Sequence, residues 1–337
     1  MNVEQIKQII GKVEDPHLSV SLSALDAIKK IEVLDDKIVI SIDLVGPIVT
    51  VLDIINHQIK EALKNAGISK NVELLFNEVC LDRTNRQFLK DVKHIIAVAS
   101  GKGGVGKSAI AGNIAATLSK IGLRVGLLDA DVYGPSQPTM FGLKEAKLEA
   151  ITDSHGNTVA VPIKRDDNLF IASMGFVLNR NEAAIVRGPM LASYFSLLFE
   201  QIEWGELDVL VFDLPPGTGD IQLTLVQKVP LNGAVIVTTP QEIALADVRR
   251  SIAMFKKVNV DILGIVENMS FFAPPDMPDK KYYIFGKDGG KIIAYEENVP
   301  LLGQIPLDIE MREANDGGEP VALTEKYPNQ ARTIKEA

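Results

Sequence analysis

Apolar residues in the first 85 positions recur at two different spacings. Between residues 3 and 13, and again between 51 and 63, they lie three or four positions apart, which is typical of amphipathic helices. Residues 38–44 alternate apolar with other side chains, and residues 72–79 form a short strand-like run. This order of elements predicts a small α/β domain over residues 1–85, followed by a charged linker over 86–93.

Short, nearly continuous apolar runs dominate the remaining residues, 94–337. Six runs are rich in Val, Ile and Leu, as are strands buried on both faces of a parallel sheet. They are Ile95–Ala99, Val125–Leu128, Leu169–Ala172, Val209–Phe212, Ala234–Val237 and Ile262–Val266. Helical spacing occurs between several of them, notably at Ala109–Ile121 and Ala244–Val258. The alternation predicts an α/β fold with a doubly wound, mostly parallel sheet behind the small N-terminal domain.

Composition and charge exclude several classes of protein. The chain has 337 residues, of which 46% are hydrophobic and 23% are charged, as in ordinary globular proteins. Its formal net charge of −9 argues against the basic surface of a general nucleic-acid binder. No long uncharged apolar run predicts a membrane helix, and the N-terminus does not resemble a signal peptide. We therefore expect a cytoplasmic protein that binds neither nucleic acid nor a membrane.

A phosphate-binding motif lies between the first strand of the second domain and the helix that follows. It satisfies G-x-x-x-x-G-K-[ST] and consists of Gly101, Lys102, Gly103, Gly104, Val105, Gly106, Lys107 and Ser108. Backbone N–H groups of such a loop, with the start of the helix, bind nucleotide phosphates. Lys107 is expected to reach the β- and γ-phosphates and Ser108 to bind Mg²⁺. The motif predicts a site for Mg²⁺ and a nucleoside triphosphate.

Carboxylates follow two of the predicted strands. Asp129 and Asp131 come after one strand and Asp213 after another, and the carboxyl ends of parallel strands face a common ligand crevice. The position of Asp213 predicts a Mg²⁺ ligand, direct or through water. Asp129 is equally well interpreted as a turn or cap residue. The Pro- and Gly-rich loop that follows predicts a switch in which Gly217 offers its N–H to the γ-phosphate.

The string GKGGVGKS resembles the deviant Walker A motif of the MinD/ParA/NifH group of P-loop ATPases. The resemblance implies a homodimer with two nucleotides held between the subunits. It also implies that the early lysine, Lys102, contacts nucleotide across the dimer interface. In the same way it implies that Asp131 orients or deprotonates the attacking water, so that Lys102, Lys107 and Asp131 are the expected catalytic residues.

Longer segments resemble the Mrp/ApbC family more specifically. The resemblance covers residues 94–323 and includes DADVYGPSQP, VLVFDLPPGTGDIQLTL, GIVENMS and VPLLGQIPLD. The first domain, with its Asp15-Pro16 pair, resembles the PaaD/SufT-like domain that many bacterial Mrp proteins carry. The family resemblance implies a slow, Mg²⁺-dependent ATPase that carries iron–sulfur clusters to apoproteins. It also implies that Asn268 reads the adenine edge, although an asparagine there could instead cap a turn.

The chain departs from this family pattern in its cysteines. Most Mrp/ApbC proteins carry a C-x-x-C motif after the segment that ends at Ser270, and two such motifs would supply four thiolates to a shared cluster. Here that region has no cysteine, and Cys80 is the only one in the chain. Cys80 is most simply interpreted as a small, partly buried residue. The resemblance therefore implies an iron–sulfur cluster as a cofactor, whereas the missing motif argues against one. The ligands of such a cluster are unassigned.

Two functions from different classes remain. The first is an ATP-dependent iron–sulfur cluster carrier with apoprotein clients, which the family resemblance favours. The second is a nucleotide-switched dimeric ATPase that binds partner proteins without a cluster, which the missing cysteines favour. A MinD- or ParA-like positioning ATPase is disfavoured by the acidic charge and the polar C-terminus. A metabolic kinase is disfavoured because no acceptor site is evident.

Overall fold

The computed structural model describes residues 3–16, 20–45, 48, 51–68, 70–79, 89–152, 156–177 and 197–336. The chain divides into two compact units, Met1–Asp82 and Arg83–Ala337. Cys80 and the first part of the predicted linker lie outside the described residues. The domain boundary placed at residue 85 therefore stays a prediction.

The first unit is a small α/β domain with a three-stranded sheet. Its elements are α1 (Val3–Ile10), β1 (Glu14–Asp15), β2 (Val20–Ser21), β3 (Ile28–Val33), β4 (Lys37–Val45), α2 (Leu52–Asn65) and β5 (Asn71–Val79). Strand β3 is antiparallel to β4, and β4 is parallel to β5. The alternating apolar residues of β4, Ile38, Ile40 and Ile42, are buried in one core with Ile55 and Ile59 of α2. This packing explains the period-two pattern in the sequence.

The second unit alternates strands and helices. It begins with β6 (Val92–Ala99), α3 (Lys107–Lys120), β7 (Val125–Asp129), α4 (Gln137–Met140), β8 (Glu149–Thr152), β9 (Thr158–Val161), β10 (Ile163–Asp166) and β11 (Leu169–Ser173). It continues with β12 (Leu207–Asp213), α5 (Asp220–Lys228), β13 (Gly233–Thr238), α6 (Glu242–Lys257), β14 (Ile262–Asn268), α7 (Gly289–Glu297), β15 (Leu301–Ile305), α8 (Ile309–Asp316) and α9 (Pro328–Glu336). Short 3₁₀ helices lie at Met174–Phe176 and Val321–Leu323.

Eight strands of this unit form one sheet in the order β10-β11-β7-β12-β6-β13-β14-β15. Every neighbouring pair is parallel except β10 with β11. From β6 the chain passes through α3 to β7, which lies on one side of β6 in the strand order. Strands β13, β14 and β15, which come later in the chain, lie on the other side of β6. Such a reversal of strand order opens a crevice at the carboxyl ends of the strands, where ligands bind in open α/β sheets. The predicted fold class is confirmed in this arrangement.

Helix α3 lies close against the sheet because it buries small side chains. Ala111, Ala115 and Ala116 are fully buried, together with Ile110. The helix contacts β12, β7 and β6. Its N-terminus is therefore held over the carboxyl end of the central strands, where the glycine-rich loop enters it.

The strand pattern of the sequence is largely correct but incomplete. In the second unit all six predicted strands are present, and β6 begins earlier than predicted, so that Val92 and Lys93 belong to a strand and not to the linker. The sequence pattern does not predict β8, β9, β10 or β15. Strand β8 is fully exposed and β10 is only half-buried, so neither carries the continuous apolar run of a central strand. Among the described residues, no helix is long and apolar enough to cross a bilayer.

Candidate nucleotide-binding site

The glycine-rich loop has a backbone that only glycine accommodates well. Gly104 and Gly106 have φ values of +81° and +84°, in the left-handed region that other residues rarely adopt. A Cβ atom added at Gly106 would lie 2.1 Å from Nδ2 of Asn268. Gly106 precedes α3, and no side chain caps that helix. Because the first N–H groups of a helix have no partner within it, this end of α3 is suited to bind an anion.

Neighbouring elements hold the same loop in place. The Ser100 hydroxyl donates a hydrogen bond to the carbonyl of Lys102 at 2.9 Å. The amide of Asn268 donates to the carbonyl of Val105, also at 2.9 Å. At Gly101 a Cβ atom would lie 2.4 Å from the carbonyl oxygen of Asp247, so α6 packs directly against the loop. The phosphate-binding conformation is therefore fixed by contacts with β14 and α6.

Three residues predicted from the sequence meet at the start of α3. The ammonium of Lys107 forms a buried ion pair with Oδ1 of Asp213 and lies 3.1 Å from the Ser108 hydroxyl. Lys107 is 6% exposed and Asp213 is fully buried. A cationic group thus occupies the point where a hydroxyl and a carboxylate oxygen converge. Oxygen donors of these two kinds are the ligands that Mg²⁺ prefers, so the residues fit a Mg²⁺ site.

Gln137, which lies in the segment DADVYGPSQP but has no role predicted from the sequence, joins the same cluster. Gln137 is fully buried, and its Nε2 donates to Oδ2 of Asp213 at 2.8 Å and to the carbonyl of Ser108 at 3.0 Å. It lies outside the phosphate-binding loop, at the start of α4. Only the position of α4 beside the end of β12 brings it there.

Asp129 organises the loop that follows β7. Its Oδ2 accepts hydrogen bonds from the backbone N–H groups of Ser136 and Gln137 and from the hydroxyl of Ser173, at 3.0–3.1 Å. Its Oδ1 accepts from the backbone N–H of Asp131 at 3.2 Å. The side chain is completely buried. Of the two interpretations left open by the sequence, the structure favours a residue that shapes the loop.

Burial, with the nearby charge of Asp213, raises the pKa of Asp129 to about 7. The unfolded chain releases this proton near the ordinary value of 3.8, whereas the folded protein retains it up to about pH 7. The unfolded state therefore binds fewer protons across this window, and the contribution of Asp129 to stability falls as the pH rises. Above the folded pKa the loss is complete.

Between about pH 5 and about pH 8 we expect this loss to reach about 3 kcal/mol, because about two pKa units of the shift fall in that range, at about 1.4 kcal/mol per unit. Urea unfolding without nucleotide or Mg²⁺, at about pH 5 and about pH 8, measures it. Asp129→Asn should show a smaller decrease between the two conditions, whatever its absolute stability. An equal decrease in both proteins would contradict the raised pKa.

Asp131 and Gly217 lie on the two loops that flank the crevice. Asp131 is half-buried, and its Oδ1 accepts from the backbone N–H groups of Tyr133 and Gly134 at 3.2 and 3.1 Å. The N–H of Gly217 donates to the carbonyl of Ser100 at 3.0 Å. This N–H can reach a phosphate only after that bond breaks. The catalytic role of Asp131 and the phosphate contact of Gly217 stay predictions.

The end of β14 supports the loop from the other side. Asn268 is buried with its amide directed to the loop carbonyl of Val105, and its contact with adenine stays a prediction. Glu267 lies in the segment GIVENMS, and no role for it follows from the sequence. This buried carboxylate accepts from the backbone N–H of Gly290 at 2.6 Å and from the amide of Gln304 at 2.8 Å. Glu267 thereby ties α7 and β15 to the strand that carries Asn268.

The region after Ser270, where the family resemblance implies a C-x-x-C motif, forms a closed turn in this chain. Phe272 and Tyr282 exchange two backbone hydrogen bonds of 2.8 Å. The ring of Phe271 contacts that of Tyr283, with centroids 6.4 Å apart, and the Lys281 ammonium lies 4.1 Å from the Phe271 centroid. The turn is held by backbone bonds and ring contacts and contains no thiol.

Two family models match the chain. Residues 91–337 match the ParA model, described as NUBPL iron-transfer P-loop NTPase. Residues 3–74 match a model described as iron-sulfur cluster assembly protein. Together they cover most of both units.

Proteins of similar sequence carry related names. An iron-sulfur cluster carrier protein of Synechocystis is 41% identical over 337 residues, which is 99% of this chain and 95% of the relative. The iron-sulfur cluster transfer protein NUBPL of Dictyostelium discoideum is 47% identical over 248 residues, covering 74% of this chain and 75% of the relative.

Solved structures support the fold. A nucleotide-binding protein of Archaeoglobus fulgidus in complex with ADP is 37% identical, with a TM-score of 0.59 over 68% of this chain and 88% of that one. The septum site-determining protein MinD of Pyrococcus horikoshii, complexed with Mg-ADP, has a TM-score of 0.52 at 21% identity, over 72% of this chain and 93% of that one. The MinD likeness bears on the fold alone.

Proposed function

The chain belongs to the family of NUBPL iron-transfer P-loop NTPases, and we propose that it is a Mg²⁺-dependent ATPase that carries iron–sulfur clusters to apoproteins. The resemblance inferred from the sequence is confirmed at the level of the family. The observation that carries the proposed hydrolysis is the buried contact of Lys107, Ser108 and Asp213 at the start of α3. The observation that carries the proposed cargo is the 41% identity with a named cluster carrier over almost the whole chain.

Phosphoryl transfer requires mainly positioning and charge neutralisation, and the site offers both. The backbone N–H groups of the loop and of α3 would bind the phosphates, with the ammonium of Lys107 on the terminal ones. Ser108 and Asp213 would hold Mg²⁺, which supplies further positive charge when bound. Since Lys107 is paired with Asp213 in this structure, nucleotide binding would exchange a carboxylate partner for phosphate oxygens. Asp131 would orient the attacking water.

The proposed assembly is a homodimer that encloses its nucleotides. Lys102 is half-exposed on the loop, and its ammonium has no ion-pair partner within the part of the chain that the structure describes. A cation in this position is available to a nucleotide bound by a second copy. Asn268 would then contact the adenine of the nucleotide from the side of β14.

The proposed cargo, an iron–sulfur cluster, needs ligands from the protein. Four-iron clusters are usually held by four thiolates, and two copies of this chain supply two, both from Cys80. We propose that Cys80 of each copy binds the cluster and that the remaining ligands come from other groups. The cluster is then held more loosely than in a four-cysteine site, as suits a cargo that is passed on.

Iron and acid-labile sulfide, measured after anaerobic reconstitution, test this proposal. We expect stoichiometric iron per dimer in the unaltered protein and its loss in Cys80→Ser. Lys107→Ala is the matched control, because it alters the nucleotide site and keeps the thiol, so its iron content should be unchanged. Iron retained by Cys80→Ser would contradict the assignment of Cys80.

A second function is favoured by the thiol-free turn between Phe271 and Tyr283. In that case ATP would switch the dimer between two states that bind or release a partner protein, and no cluster would be involved. The described residues also contain no group of three or more His, Cys, Asp or Glu side chains placed to hold a metal. Absence of iron from the reconstituted, unaltered protein, with retained ATP hydrolysis, would favour this function over the carrier.

A further inference from the structure

We infer that Gln137 is a positioning residue of the Mg²⁺ site, where its side-chain amide fixes the carboxylate of Asp213 relative to Ser108. The inference rests on the proposed function, since it concerns the site in which Mg²⁺·ATP would bind. It adds a residue outside the phosphate-binding loop and outside the strand-end carboxylates.

The amide nitrogen of Gln137 joins the two elements that would hold the ion. It donates to Oδ2 of Asp213 at 2.8 Å, at the end of β12, and to the carbonyl of Ser108 at 3.0 Å, in the first turn of α3. The side chain is fully buried, so water does not compete for these bonds. Both N–H groups of one amide are thereby used to set the spacing between the two candidate ligands.

The bond to Asp213 also fixes the orientation of its carboxylate, so that one oxygen faces Gln137 and the other faces the ammonium of Lys107. Oδ2 is engaged by Gln137, whereas Oδ1 is engaged by the ammonium of Lys107, which in turn contacts the hydroxyl of Ser108. Rotation of the carboxylate would break the bond with Gln137. When Lys107 moves to the phosphates, Oδ1 therefore stays directed toward the hydroxyl of Ser108.

The orientation of the Gln137 amide follows from the two bonds that its nitrogen donates, since its oxygen has no hydrogen-bond partner among the described residues. Its oxygen faces α3, because a Cβ atom added at Gly112 would lie 2.9 Å from it. A flipped amide would place this oxygen against the Asp213 carboxylate and the Ser108 carbonyl, and three acceptors would then meet without a donor. The donor therefore points to the site in the only arrangement that satisfies Asp213.

The backbone of Gln137 extends the connection to the loop that carries Asp131. Its N–H donates to Oδ2 of Asp129 at 3.1 Å, and Asp129 accepts from the backbone of Asp131 as well. One residue thus links the candidate Mg²⁺ ligands to the loop of the proposed water-orienting carboxylate. Outer partners of this kind tune metal affinity without touching the metal.

Gln137→Met tests the inference, because methionine keeps the volume of the side chain and removes both N–H donors. Binding of a fluorescent ATP analogue is titrated with Mg²⁺ and, separately, measured in EDTA. We expect the Mg²⁺ concentration at half-saturation to rise about tenfold or more, as for other lost outer-shell partners. Binding in EDTA should change by no more than about twofold, since the loop and Lys107 are intact.

Asn113→Ala is the matched control. Asn113 is a buried amide in α3, the helix that carries Ser108, and it donates to the carbonyl of Ala109 at 2.8 Å without a hydrogen bond to Asp213. Its Mg²⁺ titration should match that of the unaltered protein. Gln137→Asn, which keeps an amide one methylene shorter, serves as a second variant and should raise the Mg²⁺ requirement less than methionine does.

Three results would overturn the inference. One is an unchanged Mg²⁺ midpoint in both folded Gln137 variants. Another is an equal loss of nucleotide binding with Mg²⁺ and in EDTA, which would indicate a general packing role. Absence of Mg²⁺-dependent binding in the unaltered protein would overturn the proposed function and this inference together, whereas the first two leave the proposed function intact.

Discussion

Lys107→Ala is expected to abolish ATP hydrolysis, with a loss of at least about 10²–10³-fold. The substitution removes the only ammonium that the structure places at both the Ser108 hydroxyl and the Asp213 carboxylate among the described residues. Phosphoryl transfer depends on charge neutralisation, and the helix N-terminus and backbone N–H groups do not replace a full positive charge. Phosphate release at saturating Mg²⁺ and ATP measures the effect.

Stability must be measured beside this activity. Asp213 would be left as a buried carboxylate without its cation, which costs about 3–5 kcal/mol in comparable pairs. Urea unfolding therefore accompanies the assay. Lys120→Ala is the matched control, because Lys120 lies at the other end of α3 in an exposed pair with Asp166 and should keep full activity. Normal turnover by a folded Lys107→Ala protein would contradict the assignment of residues 101–108 as a phosphate-binding loop.

Lys102→Ala is expected to lower hydrolysis by about 10²–10³-fold while nucleotide binding changes much less. Unlike Lys107, this lysine is not buried, and it makes no ion pair within the described segments. Its proposed partner is the nucleotide of a second copy, so its contribution arises only in the assembled dimer. Single-turnover hydrolysis and equilibrium binding of ATP, measured in parallel, separate the two effects.

Mixing inactive variants tests the exchange between subunits. In a dimer of one Lys102→Ala and one Lys107→Ala chain, one nucleotide site has both lysines and the other has neither. Random pairing of equal amounts should recover about a quarter of the unaltered activity, because half of the dimers would hold one complete site in two. No recovery in mixtures that form dimers, or full activity of Lys102→Ala alone, would contradict the proposed role.

The sequence predicts for a physical reason that Lys107, Ser108 and Asp213 lie near one another, and the structure brings them together. A glycine-rich loop between a strand and a helix has one common use, and strand-end carboxylates of a parallel sheet converge, so Lys107, Ser108 and Asp213 could be placed together before the structure was known. Gln137 could not, because its role depends on how α4 packs against α3 and β11 and not on a local pattern. Asp129 was ambiguous for the same reason, since complete burial distinguishes it from the half-buried Asp131.

The strands likewise divide into those that the sequence reveals and those that it does not. Buried parallel strands such as β12 carry continuous apolar runs that reveal them in the sequence. In the hairpin of β8 and β9, the residues of β8 are exposed and those of β9 are mostly half-buried, and neither strand has a continuous run of buried apolar residues. Hydrogen bonds between backbone groups are a further feature that the sequence does not reveal. The N–H of Gly217, predicted to bind phosphate, is held by Ser100 in this structure, and no side-chain pattern reports such a contact.

The most direct test of the proposed function is the binding and hydrolysis of ATP by the unaltered protein, measured with and without Mg²⁺ and compared with Lys107→Ala. We predict saturable binding of one ATP per chain, release of phosphate that requires Mg²⁺, and loss of that release in the variant. Absence of saturable ATP binding by the unaltered protein, or equal phosphate release by both proteins, would contradict it.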